Sequence, residues 1–133
     1  MRSFILFCKT YSGDFDRFKI LKESIGKYNK DNIPFYCVCP QKDKNMFENL
    51  RTGNEEYEYN IITDEEVLKI SNNEQSWFSQ QLVKLNFYKL NIAENWLVLD
   101  SDCYFIRDFH LKDFMIDDNT PYIAFDEPFK GVL

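Results

Sequence analysis

Short apolar runs alternate with amphipathic stretches along most of this chain, and that alternation restricts it to few architectures. Ser3-Phe4-Ile5-Leu6-Phe7-Cys8 is an apolar run bounded by polar residues, the pattern of a buried strand. After the loop at 9–13, Asp14 stands where a helix N-cap belongs, and Phe15, Phe18, Leu21, Ile25 and Tyr28 recur at spacings of three or four, one face of a helix. Asp31-Asn32-Ile33-Pro34 interrupts the chain, and Phe35-Tyr36-Cys37-Val38-Cys39 reads as a second buried strand stopped by Pro40. Met46, Phe47 and Leu50 suggest a second helix. A third, more exposed strand is expected at 58–62, and Asp64-Glu65-Glu66 opens a helical turn.

The longest helical pattern runs over 74–95, with Phe78, Leu82, Leu85 and Ile92 on one stripe. Trp96-Leu97-Val98-Leu99 is the most apolar short run and ends in Asp100-Ser101-Asp102. Tyr104-Phe105-Ile106 and Tyr122-Ile123-Ala124-Phe125 are later strand candidates. This order predicts a single α/β domain over residues 1–133, a sandwich with a mainly parallel sheet and helices on both faces. Ligands of such sheets bind beyond the carboxyl ends of the strands, which singles out the loop at 9–13 and the loop holding Asp100 and Asp102.

Composition agrees with a soluble globular chain: 44% hydrophobic, 29% charged, with 13 Phe, 8 Tyr and 2 Trp to fill a core. No apolar run is long enough to span a bilayer, and the start lacks the apolar length and small-residue cleavage site of a signal peptide, so the expected location is the cytoplasm. The net charge of −6 disfavours nucleic acid and anionic lipid as generic partners. It is unevenly spread, +4 over 1–53 and −10 over 54–133. The acidic half either faces water or gathers carboxylates around a cation. Cys8, Cys37, Cys39 and Cys103 form no C-x-x-C pair and read as buried free thiols.

Asp100 and Asp102 lie two apart after a buried strand, so persisting strand geometry would project both carboxylates to one side. Like charges that close need a cation or donor between them. Mg²⁺ and Mn²⁺ prefer oxygen and take one or two carboxylates plus substrate phosphates. A solvated turn with two chance aspartates is the competing reading. Trp77, Gln81 and Lys84 share a helix face at i, i+4 and i+7, either a functional row or core packing with a lysine reaching water. Neither Gly-x-Gly-x-x-Gly nor Gly-x-x-x-x-Gly-Lys-Ser/Thr occurs, so the glycine-loop phosphate cradles are absent.

Lys9-Thr10-Tyr11-Ser12-Gly13-Asp14-Phe15-Asp16-Arg17-Phe18, Ile33-Pro34-Phe35-Tyr36, Trp77-Phe78-Ser79-Gln80-Gln81-Leu82-Val83-Lys84-Leu85 and Leu97-Val98-Leu99-Asp100-Ser101-Asp102, in this order, resemble bacterial glycosyltransferases of the GT-A fold, the sugar transferases of surface-polysaccharide clusters. The resemblance implies a Rossmann-like GT-A sandwich binding a nucleoside-diphosphate sugar, with a UDP-sugar favoured and Mn²⁺ or Mg²⁺ on the D-x-D. It implies Asp102 as direct metal ligand and Asp100 on the ribose or a metal-bound water. Thr10 and Tyr11 would line the nucleoside pocket, Tyr11 stacking on the base, with Gln81 and Lys84 near the donor or the D-x-D loop. The acceptor would be a glycan or lipid-linked glycan, compatible with peripheral association at the inner face of the membrane.

GT-A enzymes are usually longer, and their second half brings the acceptor pocket and a catalytic base. The donor half is therefore expected here and the acceptor half missing, a sandwich truncated at its C-terminal side. Asp126 and Glu127 follow a strand candidate and are either a base near an acceptor or an ordinary acidic turn; His110 is expected on a surface or loop. The alternative function is a non-catalytic nucleotide-binding or interaction module derived from such an enzyme. A phosphotransferase with an Asp-x-Asp nucleophile and a response-regulator receiver both need their acidic residues after the first strand, where this chain has Lys9-Thr10-Tyr11.

Overall fold

The computed structural model of the chain describes residues 1–70 and 75–123. Its centre is a four-stranded, all-parallel sheet of β1 (Arg2–Lys9), β2 (Phe35–Cys39), β3 (Tyr59–Thr63) and β4 (Ala93–Leu99), in the order β3-β2-β1-β4. Helices α1 (Phe15–Tyr28), α2 (Lys44–Glu48), α3 (Asp64–Leu68) and α4 (Trp77–Asn86) fill the connections, which gives the expected α/β architecture. Alternation along β1 divides the core. Phe4, Leu6 and Cys8 face α1, where they join Phe18, Leu21, Ile25, Phe35 and Cys37. Ile5 and Phe7 face the other way, towards Val67 of α3, Val83 of α4 and Phe87. Both faces of the sheet are thus covered, as parallel strands require.

Several expected elements are corrected. Asp14 precedes α1, but its side chain caps no helical N–H; a 3₁₀ turn at Ser12–Asp14 leads into the helix, and the carboxylate accepts from Arg17 Nη1 at 3.1 Å. The long helix ends at Asn86. A 3₁₀ turn over Phe87–Leu90 follows, Asn91 adopts the left-handed conformation (φ 51°), and β4 already begins at Ala93.

The apolar stripe of α4 is also inverted: Phe78 and Leu85 are 65% and 70% exposed, and Trp77 is 75% exposed, not core. The rotation follows from the anchors at the two ends of the helix. Gln75, just before the N-cap Ser76, is tied to Lys9 and Asp64, while Phe87 stacks on Phe7 at 4.1 Å between ring centroids. These anchors turn Val83, and not the wider stripe, onto the sheet.

Tyr104-Phe105-Ile106 forms no strand. The Phe105 N–H is taken by Ser24 Oγ of α1, and its ring stacks on Phe109 at 3.9 Å, so this segment packs as irregular chain beside α1. Tyr122 and Ile123 are not in a strand either; their neighbourhood holds one isolated bridge, Met115 with Pro121, and Ala124 and Phe125 lie outside the described residues. Among the described residues, no helix is long and apolar enough to cross a membrane.

Candidate functional site

The strand order determines where a ligand fits. From β1 the chain runs outward to β2 and β3, then crosses back to place β4 on the other side of β1. Such a reversal of strand order opens a crevice at the carboxyl ends of β1 and β4. The loop after β1 and the Asp100-Ser101-Asp102 turn after β4 meet there. The turn lines a cavity of about 180 Å³ with Lys9, Asp14, Arg17 and Gln80.

The D-x-D is a turn and not a continuation of the strand, which stops at Leu99. Ser101 is buried and its hydroxyl donates to Thr10 Oγ1 at 3.1 Å, stitching the two loops together. With Ser101 turned inward, Asp100 and Asp102 are left exposed on the cavity wall. Asp100 Oδ1 accepts from Lys84 Nζ of α4 at 2.9 Å, whereas Asp102 makes no hydrogen bond or ion pair among the described residues. Thr10 is wholly buried behind the site and does not form its surface, and the Thr10 N–H donates to the Val38 carbonyl at 2.8 Å. Tyr11 is half-buried, with its ring lying over Gly13.

Gln80, and not Gln81, lines the cavity. Asp126 and Glu127 lie outside the described residues. His110 sits in a loop, its backbone N–H donating to Asp113 Oδ2.

Beneath the cavity lies an arrangement that the sequence reading missed. Lys9 continues the Ile5 and Phe7 face of β1 with a side chain of zero exposure. Its ammonium donates to the Thr10 carbonyl at 2.6 Å and to Gln75 Oε1 at 2.9 Å, and lies 3.3 Å from Asp64 Oδ2, whose side chain is equally buried. Gln75 Nε2 donates to the same Asp64 oxygen. The one available signal was a lysine closing an otherwise apolar strand, since a charge so placed needs a partner. Asp64 is brought into range by the start of α3, where Thr63 and Glu66 form a capping box.

The cations Arg17 and Lys84 therefore stand among the carboxylates Asp14, Asp100 and Asp102, while the charge of Lys9 is taken up by Asp64, so a ligand bearing both a cation and phosphates meets complementary charge. Two exposed carboxylates suit Mg²⁺ or Mn²⁺ if phosphate oxygens complete the shell. Among the described residues no third His, Cys, Asp or Glu joins them as a metal cluster. Behind the turn, burial pushes the Cys8 thiol up to about 12, only partly offset by its contact with Ser101 Oγ at 3.9 Å, so it is an inert core thiol.

A larger hollow of about 500 Å³ lies along the outer flank of α1, between Lys19, Gly26, Asn49 and Tyr57. Its buried charges, Lys22 and Glu55, satisfy one another at 2.9 Å. It lacks the convergence of loops seen at the strand ends.

The family model described as "Family of unknown function (DUF6492)" matches residues 3–125, nearly the whole chain. The chain belongs to DUF6492. No curated protein and no solved structure matches it. The DUF6492 match spans both loops of the crevice, the buried Lys9–Asp64 pair and the Asp100-Ser101-Asp102 turn. In this DUF6492 chain the candidate site therefore rests on its own geometry.

Proposed function

We propose that this chain binds a nucleoside-diphosphate sugar, with a UDP-sugar favoured, and serves as the donor-binding part of a GT-A-type glycosyltransferase acting on a glycan or lipid-linked glycan. The observation that carries the reading is the convergence of Asp100 and Asp102 with Arg17 and Lys84 at the crevice between β1 and β4. Asp102 and Asp100 would hold Mn²⁺ or Mg²⁺. Such a cation, when bound, supplies charge neutralisation for a departing diphosphate.

The remaining work falls to the chain itself. Ser101 and Thr10 fix the turn so that the two carboxylates face outward. Lys9 holds the Thr10 carbonyl and so the backbone leading to Tyr11, whose ring would stack on the base. Arg17 and Lys84 supply cations on flexible stems for the phosphates. A lipid-linked acceptor would bring the chain to the inner face of the membrane.

Isothermal titration with UDP in the presence and absence of Mn²⁺ tests the reading. Metal-dependent binding that disappears in Asp102→Ala supports it; failure to bind any nucleoside diphosphate overturns it. A non-catalytic nucleotide-binding module is the second reading, favoured by the cavity of about 180 Å³, which is smaller than ordinary ligand pockets of roughly 300–1,000 Å³. Hydrolysis or transfer from a UDP-sugar assigns the enzyme, and binding without either assigns the module.

A further inference from the structure

The contact between Lys84 and Asp100 bears on the order in which this site fills. Lys84 belongs to α4, which is held at one end by Gln75 and at the other by the Phe7–Phe87 stack. Its ammonium is delivered to Asp100 Oδ1 at 2.9 Å, with the lysine side chain 19% exposed and the aspartate 68% exposed. Asp14 on the opposite wall has its own cation, Arg17, at 3.1 Å. Asp102 has no such partner among the described residues. The site therefore carries an internal cation on one of the two carboxylates that a divalent ion needs.

We propose that Lys84 is an exchangeable counter-ion: it occupies Asp100 until a divalent cation takes that carboxylate, and its ammonium then passes to the diphosphate. This rests on the donor-binding reading above. A divalent ion on Asp100 beside an ammonium a few ångströms away is repelled, and even in water that repulsion weakens cation binding by about tenfold. Four rotatable bonds let the ammonium swing away without moving α4. Once displaced, it finds in the diphosphate a stronger anion than the carboxylate it left. Cation and nucleotide then bind cooperatively, because each removes the obstacle to the other.

The test is a pair of titrations on the full chain: Mn²⁺ alone, and UDP at saturating Mn²⁺, each on wild type, Lys84→Met and Lys84→Arg. Methionine keeps the apolar stem and removes the charge, and a thermal melt of each variant reports folding. The expected result is opposite in sign for the two ligands. Lys84→Met binds Mn²⁺ alone about tenfold more tightly and UDP about tenfold more weakly, while Lys84→Arg keeps both near wild type. A merely structural lysine moves both affinities the same way, and that result overturns the proposal, as does Mn²⁺ binding in Lys84→Met no tighter than in wild type. If Lys84→Met does not fold, Lys84→Gln carries the same two titrations.

Wild type that binds Mn²⁺ but no UDP removes the donor reading alone, since the Mn²⁺ comparison still decides whether Lys84 competes for Asp100. Absence of Mn²⁺ binding in both wild type and Lys84→Met overturns both.

Discussion

Lys9 and Asp64 form an ion pair whose two side chains have no solvent exposure, with Nζ and Oδ2 3.3 Å apart. Charges so buried are tolerable only when each has its partners, and the lysine has three: Asp64, Gln75 and the Thr10 carbonyl. Removing one member strands the other, which typically costs about 3–5 kcal/mol. Lys9→Met and Asp64→Asn should each lower unfolding stability by that order in urea melts. The double variant Lys9→Met with Asp64→Leu should lose less than either, because no charge is then left buried. Single variants within 1 kcal/mol of wild type would show that the pair reaches water.

Gly13 gives a second handle on the same loop. A Cβ there would lie 2.5–2.8 Å from Cε2, Cζ and the hydroxyl of Tyr11, so any side chain must push that ring aside. The ring is the end of a flexible side chain, so Gly13→Ala should change stability by less than about 1 kcal/mol. Base–aromatic stacking is worth roughly 1–3 kcal/mol. If Tyr11 stacks on the base, Gly13→Ala and Tyr11→Ala should both weaken UDP binding by about fivefold or more in calorimetry. Unchanged affinity in both variants would remove Tyr11 from the site.

Glu55 predicts an acid-sensitive flank remote from the site. Burial pushes its carboxyl up, but Lys22 Nζ at 2.9 Å and the backbone N–H groups of Thr52 and of Glu55 itself outweigh that and hold it at about 2, against an ordinary 4.5. A carboxyl with a lower folded value stabilises fully above pH 4.5 and loses that contribution as pH falls towards 2. Glu55→Gln should therefore flatten the fall in Tm between these limits, while lowering Tm at pH 7. Parallel Tm curves for wild type and Glu55→Gln would contradict the assignment.

Thiol chemistry reports on the D-x-D turn. Cys8, Cys37 and Cys39 are buried, whereas Cys103 is half-exposed and its thiol donates to the Asp100 carbonyl at 2.8 Å. Burial also raises the Cys103 thiol, so its labelling should be slow at neutral pH and quicken as pH rises. In native protein a maleimide should modify Cys103 and spare the other three, which react only in denaturant. A ligand on Asp100 and Asp102 should slow that single reaction; labelling of the buried three at a comparable rate would show the sheet opening.

Much of the sheet was legible because a parallel strand announces itself by length and unbroken apolarity, as at Phe35–Cys39, where expected and observed limits coincide. The stripe of α1 was equally clear, since Phe18, Leu21 and Ile25 are all buried. α4 misled because periodicity shows that a helix has an apolar face but not that the face is covered; the anchors at Gln75 and Phe87 set its rotation. The two aspartates could be read from their place after a buried run. Their cavity neighbours could not, because Arg17 and Gln80 reach it through the folding of distant segments. The Lys9–Asp64 pair spans 55 residues and has no local pattern at all.

The seam between β1 and β4 also has a kinetic meaning. β1 pairs with β2 and β2 with β3 across short stretches of chain, but Thr10 and Ser101, whose hydroxyls close the crevice, are 91 positions apart. Closing so long a loop is entropically costly, and pairings of this kind slow the search for the native state. Both walls of the crevice come together only when that seam closes. A nucleotide bridging Tyr11 and Asp100 would then hardly hasten refolding, having nothing to grip beforehand, but would hold the seam shut and lengthen the lifetime of the folded chain.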